Sequence, residues 1–143
     1  MPRAKLMHGS AEETEAAFYD ALGRADIEAM MALWADDEDI VCVHPNSPRL
    51  VGHAAIRAAF ETLFERGGVH IRTRQLHATH NMSTSIHNLI EEIHQAGDPP
   101  QEMHILTTNV YLKTPRGWCL VLHHASVAPG AAPDEPMSTA MLH

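Results

Sequence analysis

The stretch "MALWADDEDIVCVHP", Met31 to Pro45, decides the fold. It begins as the end of an amphipathic helix, passes through a burst of acids at Asp36, Asp37, Glu38 and Asp39, and enters the apolar run Ile40 to Val43. Helical periodicity thus gives way to a β-type run within a dozen residues. The run ends at a histidine followed by a proline, and Pro45 cannot continue a strand ladder. A buried strand finished by an ionisable ring is either a plug hydrogen-bonded at the strand end or a tool aimed into a cavity.

Upstream, Ala16, Ala17, Phe18, Ala21 and Leu22 recur near a period of 3.6, which predicts a helix over Ala11 to Gly23. Ser10 with Glu13 has the form of a capping box. "GRAD" interrupts the pattern, and Asp26 is placed to cap a second helix from Ile27 to about Trp34. Downstream, "PNSPRLVG" reads as a loop. A third helix spans His53 to Arg66, with Ile56, Phe60, Leu63 and Phe64 inward and Gly67 and Gly68 closing it.

After Gly68 the pattern changes for good. Four strands are expected, Val69 to Asn81, Thr84 to His94, Met103 to Thr114 and Trp118 to Ala128. Their joints, "NMS", "QAGDPPQ" and "TPRG", carry turn-type residues, and short joints imply antiparallel pairing. Helices followed by a meander give an α+β fold, with three N-terminal helices on the concave face of a curved, cone-shaped antiparallel sheet. The expected organisation is one domain over residues 1–128 and a Pro/Ala-rich tail over residues 129–143.

A chain of 143 residues is long enough to bury a real core, and 45% hydrophobic with 20% charged residues is ordinary globular composition. The formal net charge of −8 argues against nucleic acid and anionic membrane as partners, since both are bound through basic surfaces. No apolar run approaches the roughly 18 residues of a membrane span, and no apolar segment follows the two N-terminal basic residues. Cys42 and Cys119, each within an apolar run, read as core residues, and a cytoplasmic location is expected. Twelve histidines hint at metal, but no H-E-x-x-H or paired Cys/His spacing is present. His77 and His80, three apart on a strand, point to opposite faces. No metal centre and no cofactor is expected.

Three motifs in order, "ALGRADIEAMMALWADDEDIVCVHP", "RLVGHAAIRAAFETLF" and "RGWCLVLHHASVAPG", resemble the nuclear transport factor 2-like superfamily. That superfamily includes steroid isomerases, SnoaL-like polyketide cyclases and the association domain of calcium/calmodulin-dependent kinase II. The closing strand, with His123, His124 and Ser126, looks most like that association domain and its stand-alone bacterial relatives. The resemblance implies a pocket between sheet and helices. It also implies comparisons residue by residue. Steroid isomerases carry an aspartate base just before the proline, where His44 stands here. Their oxyanion tyrosine falls at Phe18, with Tyr19 one step off. Their protonated aspartate falls near Asn109. All three positions differ, so that mechanism is not inherited. The association domain's basic residues at the places of Asn109 and Ala125 are also missing, which argues against the same kind of anionic ligand.

His44 and Asn109 are therefore the expected catalytic pair. A neutral imidazole titrates near physiological pH and can act as base, while an amide can steady developing charge. In "HILTTNVYLK", Thr107, Asn109 and Tyr111 share one strand face. Of His123 and His124 only one can line the pocket, and the resemblance chooses His123. Tyr19, Trp34, His123 and Tyr111 are the expected ligand-binding residues, although Trp34 and Tyr111 also suit the core. Asp36 and Asp37 read as an exposed pair at the helix exit. The functional expectation is a pocket protein binding a small molecule, catalysing a proton transfer with His44 as base. The alternative is a non-catalytic oligomerisation module. A homodimer through the outer sheet face (Leu106, Val110, Leu112, Leu120 and Leu122) suits both.

Overall fold

In a computed structural model of the protein, residues 8–95 and 97–128 are described. The tail from residue 129 onward lies outside the described residues. Three helices come first, α1 (Ala11–Arg24), α2 (Ile27–Ala32) and α3 (His53–Phe64). Short strands β1 (Val41–Val43) and β2 (Leu50–Val51) lie between α2 and α3. The long strands follow: β3 (Ile71–His80), β4 (Thr84–Gln95), β5 (Gln101–Thr114) and β6 (Gly117–Val127). They form one six-stranded sheet in the order β2-β1-β6-β5-β4-β3.

The helix starts follow the sequence. Ser10 Oγ accepts from Glu13 N at 3.1 Å, and Glu13 reaches back to Gly9 N at 2.9 Å. Asp26 Oδ1 accepts from Ala29 N at 3.0 Å. The Ser10 and Asp26 bonds each satisfy a donor that a helix start would otherwise leave open. α2 is shorter than expected because Trp34 leaves it to bridge Leu120 on β6, where Ala35 N donates to Leu120 O and Leu120 N to Leu33 O. Arg116 covers the exit, donating to Trp34 O at 3.0 Å and pairing with Asp36 at 2.9 Å. Asp36, exposed at the helix exit as expected, therefore pairs with an arginine.

Two features of the sheet depart from the expected all-antiparallel meander. Part of the expected loop pairs as β2 with β1, and β1 runs parallel to β6 through Cys42 opposite His123. A bulge also sets Val110 opposite Leu122 but Tyr111 opposite Leu120, leaving Val121 unpaired. One extra residue reverses side-chain parity. Leu120, expected on the outer face, is accordingly fully buried with Tyr111 in the core.

The core lies between α1, α2, α3 and the inner sheet face. Phe18, Met30, Trp34, Ile56, Phe60, Tyr111 and Leu120 are each at most 1% exposed. Each large apolar side chain so buried contributes about 1.5–3 kcal/mol. α1 and the segment after α3 meet backbone to backbone: Val69 N donates to Leu22 O at 2.9 Å, and a Cβ on Gly68 would lie 1.8 Å from Gly23 O. Glycine at position 68 is a requirement of that contact.

Candidate functional site

A cavity of about 580 Å³ opens between α1, α3 and the inner sheet face. Its wall is mainly apolar, including Phe18, Leu22, Leu50, Phe60, Ile93 and Ile105. Among the described residues, three with ionisable side chains line it: His44, Glu91 and His123.

His44 follows β1 directly, and Pro45 beside it also lines the cavity. Its ring stands edge-on to Phe60 with centroids 5.0 Å apart and lies 6.0 Å from the His123 ring. Nε2 touches Cys42 Sγ at 3.5 Å. Burial lowers its pKa, because a charged imidazolium loses hydration there, so the ring is neutral at neutral pH.

His123 stands on β6, the neighbour of β1. Its Nδ1 lies 2.6 Å from Asn109 Oδ1, and an amide oxygen only accepts, so Nδ1 carries the proton and Nε2 the lone pair. Burial first, then the nearby His44 and His124, push its pKa down to about 3.

Asn109 does not line the cavity. Its amide nitrogen donates to Glu15 Oε2 and to Tyr19 Oη, each at 3.2 Å, and its oxygen receives His123. Both ends of the amide are committed, so the expectation that Asn109 contacts a ligand directly is revised: it fixes the tautomer of His123. Tyr19 likewise stands behind the cavity wall and donates to Glu91 Oε2 at 2.7 Å. Tyr111 donates to Glu15 Oε2 at 2.7 Å and is fully buried. Trp34 is fully buried in the core and does not line the cavity. Of the six expected residues, the structure thus brings His44 and His123 to the cavity and sets Asn109 and Tyr19 one bond behind it.

Glu91, on β4, lines the cavity although it is not among the residues expected there. It is 4% exposed, and burial raises its carboxyl to about 6 despite the Tyr19 hydrogen bond. A carboxyl titrating there can release or take a proton near neutral pH. Tyr19, held by Glu91 on one side and Asn109 on the other, has its own pKa pushed well up by burial and by the Glu91 charge. Strand order places Glu91 three strands from β1, about 14 Å across the sheet at the usual spacing. His44 and Glu91 therefore approach the cavity from different sides.

Behind Asn109 lies Glu15 on α1, whose Oε2 accepts from Tyr111, from His87 Nδ1 at 3.0 Å and from Asn109. Burial pushes this carboxyl up, but the three hydrogen bonds, and the charge that His87 carries when protonated, outweigh it and hold it below the usual range. A chain of direct hydrogen bonds therefore runs from Glu91 through Tyr19 and Asn109 to His123 and Glu15.

Comparison with known proteins places this architecture. The SnoaL-like domain family model matches residues 11–130. Among solved structures, one from Thiobacillus denitrificans, named for the calcium/calmodulin-dependent protein kinase type II association domain, is 34% identical. It superposes with a TM-score of 0.78, over 85% of this chain and 98% of that one. A Streptomyces avermitilis protein of the NTF2-like family, ascribed a dehydratase role, is 28% identical over 83% of this chain and 94% of that one, with a TM-score of 0.74. The CaMKII hub of S. rosetta, at 21% identity over 85% and 99% of the two chains and a TM-score of 0.65, shares the fold. No curated protein matches the sequence. The match over residues 11–130 includes every helix and strand described above, and the chain belongs to the SnoaL-like domain family.

Proposed function

We propose that the cavity binds a small, largely apolar molecule carrying a carbonyl and moves a proton at the carbon beside it. The observation that supports this best is a buried carboxyl, Glu91, raised to about 6 and facing an apolar cavity that a neutral histidine, His44, also lines. His44 takes the carbon-bound proton through its ring lone pair. Glu91, when protonated, hydrogen-bonds the carbonyl oxygen as charge develops there, and Tyr19 holds the carboxyl in place. The apolar wall keeps water from competing and strengthens each of these interactions. The same two groups would serve an elimination, with His44 removing the proton and Glu91 protonating a departing hydroxyl. The dehydratase role ascribed to the Streptomyces avermitilis relative is of that acid–base class.

The test is a thermal-stabilisation screen with cyclic and aromatic ketones. His44→Ala is expected to fold like the parent and to lose the stabilisation that ketone hits give the parent. Parent and variant responding alike to every hit would refute the role of His44.

A second reading concerns assembly, and the outer sheet face favours it. Ile86 and Leu106 are 37% and 38% exposed there, beside half-buried Val110, Leu112 and Leu122. A homodimer through this face would bury them and is compatible with a working cavity on the other side. Light scattering at micromolar concentration reads it directly, a dimer supporting it and a monomer overturning it.

A further inference from the structure

On the inner face, at the turn between β3 and β4, two histidines and a carboxylate converge outside the cavity. Register brings the histidines together: β3 and β4 pair His80 with Ser85 and Ala78 with His87, so both rings share the inner face. Glu12, one helical turn before Glu15 on α1, reaches down between them. His87 Nε2 lies 3.5 Å and His80 Nε2 3.6 Å from Glu12 Oε2, and the three atoms all lie within 4.8 Å of one another.

Hydrogen bonding fixes which nitrogens can donate electrons. Glu15, whose carboxyl is held below the usual range, only accepts, so His87 Nδ1 carries a proton toward it at 3.0 Å. In the neutral ring, Nε2 then keeps its lone pair, and the Ser85 hydroxyl donates to it at 2.9 Å. Ser85 Oγ has a lone pair left for His80 Nδ1–H at 2.6 Å, which frees the lone pair on His80 Nε2. With both rings neutral, the chain Glu15, His87, Ser85, His80 thus presents two Nε2 lone pairs on the Glu12 side.

We propose that Glu12, His80 and His87 form a binding site for a divalent transition-metal ion of the zinc type, with Glu15 as the outer carboxylate that orients His87. Two imidazoles and one carboxylate select such ions over magnesium or calcium, which prefer oxygen alone. Bonds of about 2.0–2.2 Å in tetrahedral geometry put neighbouring ligand atoms about 3.4 Å apart, close to the spacing of Glu12 to both rings. His87 is fully buried and its Nδ1–H is held by Glu15, as a metal-ligating histidine is oriented by a carboxylate on its other ring nitrogen. Metal at Nε2 of the neutral His87 ring takes the place of the Ser85 hydroxyl hydrogen bond. Glu12 and His80 are 58% and 50% exposed on their side chains, which leaves a route for the ion and a fourth position for water. The ion would pin α1 to the β3–β4 hairpin. A second grouping, Glu92, Glu102 and His104 on the outer face, has only one imidazole, and Arg72 lies 3.5 Å from Glu92.

The test uses the full chain without an affinity tag, stripped with chelator, and titrated with ZnCl₂ by calorimetry and with CoCl₂ by visible absorption. One strong site per chain is expected, with a tetrahedral Co²⁺ spectrum and a raised melting temperature. His80→Ala and Glu12→Ala change exposed positions and are expected to keep the fold while weakening Zn²⁺ at least about tenfold; Glu15→Gln is expected to weaken it about 10–100-fold. Glu102→Ala with His104→Ala should leave it unchanged. Absence of stoichiometric binding, or binding untouched by His80→Ala and Glu12→Ala, or binding lost with the Glu102 and His104 pair, would overturn the proposal.

Discussion

Replacing Glu91 with glutamine is expected to make the protein more stable at neutral pH while removing a group proposed to act on the ligand. Glu91 is 4% exposed and titrates near 6 in the folded chain, against a usual value of 4.5. Below 4.5 the carboxyl is protonated in folded and unfolded chains alike and contributes no difference. As pH rises through 4.5 to 6, the unfolded chain releases its proton and the folded chain holds it. Above 6 the folded chain carries a buried charge it would not otherwise carry. At about 1.4 kcal/mol for each tenfold in proton affinity, that interval corresponds to about 2 kcal/mol of destabilisation. Glutamine keeps the shape and still offers Tyr19 an acceptor, but it has no charge to bury. Urea unfolding of parent and Glu91→Gln from pH 4 to 8 should show the stability gap widening by about 2 kcal/mol across the window, or ~4–8 °C in melting temperature. The other titrating groups are common to both proteins and cancel in the difference. A gap that stays flat with pH, or a variant less stable than the parent at pH 7, would refute the reasoning.

Glu15→Ala is expected to cost about 3–5 kcal/mol by thermal or urea unfolding, because it strands the Tyr111, His87 and Asn109 donors in the interior. Gly68→Ala is expected to cost about 1–3 kcal/mol or to prevent folding, because its methyl would meet Gly23 O; calorimetry reads the loss. His123, pushed down to about 3, should keep the neutral imidazole signature with the proton on Nδ1 in ¹⁵N NMR as pH falls from 7 to about 5. A ring that protonates near 6.5 would show that it is hydrated.

Much of this architecture was legible in the sequence, because caps and periodicity act locally. Ser10 and Asp26 start the helices they promised, and the alternation in β5 puts Thr107, Asn109 and Tyr111 inward together. The failures come from longer-range effects. Leu120 turned inward because a bulge at Val121 reversed parity, and nothing in "GWCLVLHH" marks which residue will be left unpaired. β2 has two residues and exists only because β1 lies beside it. Glu91 escaped because both faces of β4 carry apolar residues, Leu89 and Ile93 on one and Ile86 and Ile90 on the other. Only pairing decides which face turns inward. Glu15 looks like an ordinary helix-surface acid, yet it lies three residues before Phe18 and four before Tyr19, at the edge of the buried stripe. That position was the available sign. Asn109 lies on the expected face but one layer behind the cavity, since strand parity gives direction and not the depth at which a partner takes up the side chain.

Proton exchange at a bound ketone would test the proposed acid–base chemistry most directly. With a ketone that stabilises the protein, deuterium incorporation beside the carbonyl is followed by NMR in D₂O. The parent is expected to speed it well above buffer, and His44→Ala and Glu91→Gln to bring it back toward the buffer rate. A parent that binds the ketone and leaves its exchange at the buffer rate would contradict a proton-transfer role for this cavity.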